Sequence, residues 1–139
     1  MYKKILLAVD ASEHSMRLTK EAIKIALLCK DSEIELIFVA DFSKAKNEVL
    51  HSLDKEELEL SRRTKLMPFE EQLKTNNLKY KIKILHGDPG PVIAQYANQE
   101  KIDLVVIGSK GLNAIQEIVL GSVSHKVLKK VSCPVLIVK

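Results

Sequence analysis

The chain has no tryptophan and only three tyrosines and three phenylalanines among 139 residues. A surface that stacks nucleic-acid bases needs aromatic platforms, and this supply is too thin to build one. Two cysteines occur, Cys29 and Cys133. Neither has a second cysteine or a histidine at metal-ligand spacing, so they read as reduced thiols of a cytoplasmic protein rather than a zinc site or disulfide framework. No apolar run approaches the roughly 18 residues of a membrane span. The first such run, Ile5 to Val9, is too short for a signal peptide, so the expected location is the cytoplasm. Neither sign of charge dominates: 22 Lys and Arg face 18 Asp and Glu, a formal charge of +4. That balance excludes an acidic disordered chain. It suits solubility and a mild attraction for anions more than a nucleic-acid surface. Two phosphate motifs are also missing. Without GxxxxGK[ST] the chain is no P-loop phosphoryl-transfer machine, and without GxGxxG after the first strand it takes no dinucleotide cofactor.

What is present alternates between two periods. Ile5 to Val9, Glu35 to Ala40, Leu104 to Ile107 and Val135 to Val138 are short apolar runs of buried strands. Leu78 to His86 alternates instead, with Lys79, Lys81 and Lys83 on one face and Tyr80, Ile82 and Ile84 on the other. One charged face places this strand at a sheet edge, where lysines also discourage stray pairing. Between the strands the period is helical. Ser12 caps a helix whose apolar stripe is Met16, Thr19, Ile23, Ala26 and Leu27. Asp54 and Glu57 resemble a capping box ahead of Leu58, Arg62, Leu66, Phe69 and Leu73, with Pro68 a point of kinking. Asp88 and Pro89 start a short helix through Val92, Ile93, Tyr96 and Ala97, and Ser122 to Lys130 forms the last. Asp41 to Leu53 has no period and reads as a loop.

Five strands alternating with helices predict a single α/β domain over residues 1–139, a doubly wound parallel sheet with helices on both faces. With the lysine strand at one edge the order is 3-2-1-4-5. A ligand then belongs at the switch point beyond strands 1 and 4, beside Val9 and Asp10 and beside Ile107 and Gly108. There the chain reads Gly108-Ser109-Lys110-Gly111, nine residues, then Gly121-Ser122-Val123-Ser124. Glycines at a strand end let backbone approach a ligand closely. The opening of the last helix offers free N–H groups, the helix dipole and two hydroxyls, which suit phosphate oxygens. A strand-end turn would explain one glycine; the whole constellation at the switch point indicates binding.

The element GSKG-x9-GSVS, the opening KKILLAVDASEHS and the ending VLKKVSCPVLIVK together resemble the universal stress protein family, in its ATP-binding branch, over essentially the whole chain. The resemblance implies ATP, or AMP or ADP, as ligand. It places Asp10 and Val39 against adenine and ribose, Ala8 and Ile107 as apolar walls, and Gly108 and Gly111 beneath the ribose and first phosphates. Gly121, Ser122, Val123 and Ser124 would hold the remaining phosphates, with Mg²⁺ or Mn²⁺ bridging phosphate oxygens. Ala11 stands where the family carries glycine after the aspartate.

No serine, histidine and acid arrangement can be assembled, and His14, His51, His86 and His125 are scattered surface or loop residues by default. The expectation is a nucleotide-dependent stress-response switch or sensor with no dedicated catalytic residue and no metal site of its own. A slow ATP-using enzyme with Asp10 or His14 as base is the alternative, and a protein-binding dimer with an empty loop is another. The last strand, Val135 to Val138, is an apolar edge that a second copy would cover, so a homodimer is expected, as the resemblance also implies. Neither nucleic acid nor membrane is an expected partner.

Overall fold

The computed structural model describes residues 1–40, 55–109 and 121–139. Within these, strands β1 (Lys4–Val9), β2 (Glu33–Ala40), β3 (Lys79–His86), β4 (Leu104–Gly108) and β5 (Val135–Val138) alternate with helices α1 (His14–Leu28), α2 (Lys55–Thr75), α3 (Pro89–Gln99) and α4 (Ser122–Lys130). The strands form one sheet in the order β3-β2-β1-β4-β5, and every neighbouring pair is parallel. The predicted order and the edge position of β3 are both found. The proposed loop from Asp41 to Leu53, and Asp54 of the capping box, lie outside the described residues.

Side chains alternate across the sheet, so each central strand feeds two cores. Ile5, Leu7 and Val9 join Ile34, Leu36, Leu104 and Val106 beneath α1 and α2, where Leu18, Ala22, Leu66, Phe69 and Leu73 complete the layer. Leu6, Ala8, Ile37, Val105 and Ile107 face α3 and α4, packing on Ile93, Ala97 and Val127. Among the described residues two helices lie on each face, the doubly wound arrangement.

Several local expectations are corrected. Helix α1 starts at His14, not after Ser12, and its N-cap Glu13 makes no side-chain cap bond. The Ser12 hydroxyl goes to Asp10 Oδ1 instead. Leu27 is 59% exposed, and the buried stripe runs through Ser15, Leu18, Thr19, Ala22, Ile23 and Ala26. A helix of about 3.6 residues per turn carries Leu27 out of that stripe once Leu18 and Ala22 define it. Pro68 does lie inside helix α2, where the sequence pattern put it. Strand β2 begins two residues before Glu35, because Glu33 and Ile34 still pair with β1 and β3.

The lysines of β3 do more than guard an edge. Lys81 Nζ lies 3.4 Å from Glu33 Oε1, and Lys83 Nζ stands 5.8 Å from the centre of the Tyr96 ring. Beneath that ring the Tyr96 hydroxyl donates to Glu35 Oε1 at 2.5 Å, satisfying a carboxylate that is 3% exposed. No helix among the described residues is long and apolar enough to cross a membrane.

Candidate functional site

The pairing of β1 with β4 runs from Ile5–Leu104 to Leu7–Val106. On the outer sides the ladders go further, to Val9–Phe38 between β1 and β2 and to Gly108–Val138 between β4 and β5. The carboxyl ends of the two central strands therefore part over their last residues. This is where an open α/β sheet forms its ligand crevice.

One wall of the crevice is the turn after β1. Asp10 Oδ1 accepts from the Ser12 amide at 3.0 Å and from the Ser12 and Ser15 hydroxyls at 2.5 and 2.9 Å. The Asp10 amide in turn donates to Ser15 Oγ at 3.1 Å. Between them Ala11 adopts φ +66°, the left-handed region that glycine occupies without strain. The departure from the glycine of the related pattern thus falls at the residue whose backbone most favours glycine. Sequence reasoning missed Ser15, a buried hydroxyl on the first turn of α1; its only signal is a polar residue on the stripe that packs against the sheet.

The other wall is the exit of β4 and the start of α4. Ser109 O accepts from the Gly121 amide at 2.7 Å, so the two ends of the intervening segment meet. The Ser124 hydroxyl, on a residue 2% exposed, donates to the Gly108 carbonyl. That hydroxyl fastens α4 to β4. The first intrahelical bond of α4 is His125 N to Gly121 O at 3.0 Å. By helix geometry the amides of Ser122, Val123 and Ser124 precede it and have no intrahelical acceptor. They carry the positive end of the helix dipole.

The apolar residues sort by side. Ala8 and Ile107 lie in the core layer under α3 and α4, and Val39 and Val123 pack against that layer. Val9 points into the opposite layer, so only its backbone belongs to the crevice side. Gly108 ends β4 and is buried. Gly111 lies outside the described residues.

Two histidines read as scattered have defined partners. His14 Nε2 is 3.0 Å from Val138 O, and since a carbonyl only accepts, that nitrogen is protonated. The same carbonyl accepts from the Ser109 amide at 2.9 Å, which joins α1, β5 and β4 at one point. Arg62 Nη1 donates to His86 Nε2 at 3.0 Å. Among the described residues no group of three or more His, Cys, Asp or Glu is placed to hold a metal ion. Both cysteines are free thiols, and burial raises the Cys133 pKa above its ordinary value. An open recess lined by Glu56, Glu59, Leu60, Arg63, Ile82 and Ile84 lies between α2 and β3, away from the crevice.

The model of the universal stress protein family matches residues 1–139. A universal stress protein of Methanocaldococcus jannaschii is 35% identical over all of this chain and 83% of its own length. A second protein of that organism, 34% identical, has a solved structure that superposes with a TM-score of 0.84 over 100% of this chain and 96% of its own. A universal stress protein family member of Arabidopsis thaliana, solved with AMP bound, shares the fold: TM-score 0.69 at 22% identity, over 99% of this chain and 91% of that one. By sequence over its full length and by the course of its sheet, this chain belongs to the universal stress protein family.

Proposed function

We propose that the chain binds an adenine nucleotide, ATP or else AMP or ADP, in the crevice between β1 and β4 and acts as a nucleotide-dependent switch or sensor in stress response. The observation that carries this reading is the parting of the two central strands between the Asp10 turn and the start of α4. The amides of Ser122, Val123 and Ser124 and the backbone of Gly108, Gly111 and Gly121 are the candidate phosphate cradle. Val39 offers partly exposed apolar surface for a purine, with Ala8 and Ile107 as the buried wall behind it, and Asp10 has a second carboxylate oxygen for ribose or base. AMP in the Arabidopsis relative supports the same ligand class.

A divalent ion would keep phosphate oxygens and water as its ligands, the usual state of Mg²⁺ on a nucleotide. The described residues offer no metal-binding group of their own. Switching rather than fast turnover is favoured by the missing P-loop lysine motif. Asp10 Oδ1 already accepts three hydrogen bonds and His14 donates through Nε2 to Val138, which leaves Asp10 Oδ2 and His14 Nδ1 as the atoms an ATP-using enzyme would need. The proposed working form is a cytoplasmic homodimer paired through Val135–Val138, with neither nucleic acid nor membrane as partner.

Calorimetric titration with ATP and Mg²⁺ tests the reading. Saturable binding is expected, lost in Gly121→Phe while the circular dichroism of the fold persists. No binding up to millimolar ATP overturns it. Steady ATP turnover faster than about one per second would point instead to an ATP-using enzyme.

A further inference from the structure

Helices α3 and α4 nearly touch at Gly90. A Cβ at that position would lie 2.9 Å from both Cβ and Cδ of Lys126. Real Cβ atoms do not approach so closely. The Cβ of Lys126 is fixed to the backbone of α4 and cannot swing aside, so a side chain at position 90 has to displace the helix. Gly90 is buried in the first turn of α3, where glycine is otherwise a poor helix residue. The close approach is its physical reason.

Lys126 follows Ser124 by two residues, about 3 Å along the helix axis. Whatever sets Lys126 against α3 therefore sets the amides that open α4. The polar fastenings act at the ends of the helix. Gly121 N and Ser124 Oγ hold its start to Ser109 and Gly108. Asn98 of α3 donates to Lys130 O at 3.0 Å and accepts from the Ser132 amide at 3.1 Å. Between them Val127 packs on Ile93 and Ala97, and the contact at Gly90 sets how near the two helices come. The neighbouring ion pair, Lys126 Nζ to Asp88 Oδ2 at 3.6 Å, is between exposed groups and contributes little.

We propose that Gly90 is a positioning residue for the nucleotide: its missing side chain sets the distance of α4 from α3 and thereby the placement of the Ser122, Val123 and Ser124 amides at the crevice. This rests on the reading that the crevice binds an adenine nucleotide. Hydrogen bonds to phosphate weaken once their length departs by a few tenths of an ångström from its best value, and a close-packed interface takes up an added methyl by moving.

The test compares the full-length protein with Gly90→Ala, Asp88→Asn and the double variant Gly90→Ala/Lys126→Ala, all well below their unfolding midpoints. In Gly90→Ala the backbone amide resonances of Ser122 to Ser124 should shift while those of Leu6 and Leu36 stay in place. Its ATP affinity should fall about tenfold, the equivalent of losing one well-made hydrogen bond to a charged group. The double variant removes the Cδ contact and keeps the Cβ contact, so it should regain part of that affinity. Asp88→Asn should bind within twofold of the unsubstituted protein. A folded Gly90→Ala with unmoved Ser122 to Ser124 amides and unchanged affinity overturns the proposal. Shifted amides in a protein that binds no ATP before substitution would overturn the nucleotide reading and leave the positioning of α4 standing. If Gly90→Ala does not fold, the double variant carries the test: wild-type amide positions and affinity there overturn the proposal.

Discussion

Asp10 and Ser15 hold each other in both directions. The Asp10 amide donates to Ser15 Oγ at 3.1 Å, and that hydroxyl donates to Asp10 Oδ1 at 2.9 Å. The pair ties the end of β1 to the first turn of α1 and fixes the carboxylate at the rim of the crevice. Ser15 itself is fully buried, so neither bond has water as a substitute.

Ser15→Ala removes both bonds at once and leaves the Asp10 amide without its acceptor. The expected loss is about 1–3 kcal/mol of unfolding free energy, read from urea denaturation. ATP affinity should fall as well, because Asp10 loses one of the donors that aim it. Unchanged stability would show that the turn is held by Ser12 alone.

Ala11→Gly should work in the opposite direction. A non-glycine residue in the left-handed region costs about 1–2 kcal/mol, and Ala11 sits there at φ +66°. Glycine returns part of this by widening the unfolded ensemble. The net expectation is a gain of about 0.5–1 kcal/mol by denaturant titration, with a fold otherwise unchanged. A loss of stability would mean that the methyl makes a contact outweighing the strain.

Tyr96 contributes to the alkaline limit. Burial raises its pKa above the ordinary value, and the hydrogen bond to Glu35 and the charge on that carboxylate raise it further. The folded state thus favours the neutral phenol. The stability linked to it is complete below about pH 10, the pKa of an unperturbed tyrosine, and is lost as pH climbs above that value. Tyr96→Phe should flatten this alkaline decline. At neutral pH it should cost about 1–3 kcal/mol, since Glu35 is left buried without its donor. Parallel pH profiles of the two proteins above pH 10 would contradict the assignment.

Cys133 should react slowly with alkylating reagents. Its thiol pKa is raised, first by burial, and the thiolate is the reacting form. At pH 8 the labelling rate of the folded protein should lie well below that of a free thiol, and should recover in denaturant. Labelling as fast as a free thiol would remove burial as the cause.

The course of the sheet could be read from local pattern. Periods of two and 3.6 separated strands from helices, and Lys79, Lys81 and Lys83 marked β3 as the edge. The switch point followed from that order, and with it the neighbourhood of Asp10 and Gly108. Errors gathered where a polar side chain had to choose between partners. Ser12 looked like a helix cap, but Asp10 Oδ1 lay within its reach and took the hydroxyl. Asp103 drew no attention, yet its Oδ2 accepts from the Lys3 and Lys4 amides at 3.0 and 2.9 Å across a gap of about a hundred residues. His14 gave no hint of Val138, because β5 comes at the other end of the chain.

By itself, then, the order of residues determined the class of fold, the edge strand and the pair of strand ends that flank the crevice. All three depend on hydrophobic period and chain order, which are properties of short segments and their succession. Only the tertiary structure decided that the β1–β4 ladder stops at Leu7–Val106, that Ser124 spends its hydroxyl on Gly108, and that Gly90 sets the separation of α3 and α4. Each of these is a meeting of groups far apart in the chain. Close packing and the need to satisfy buried polar atoms choose such partners once the layers are assembled.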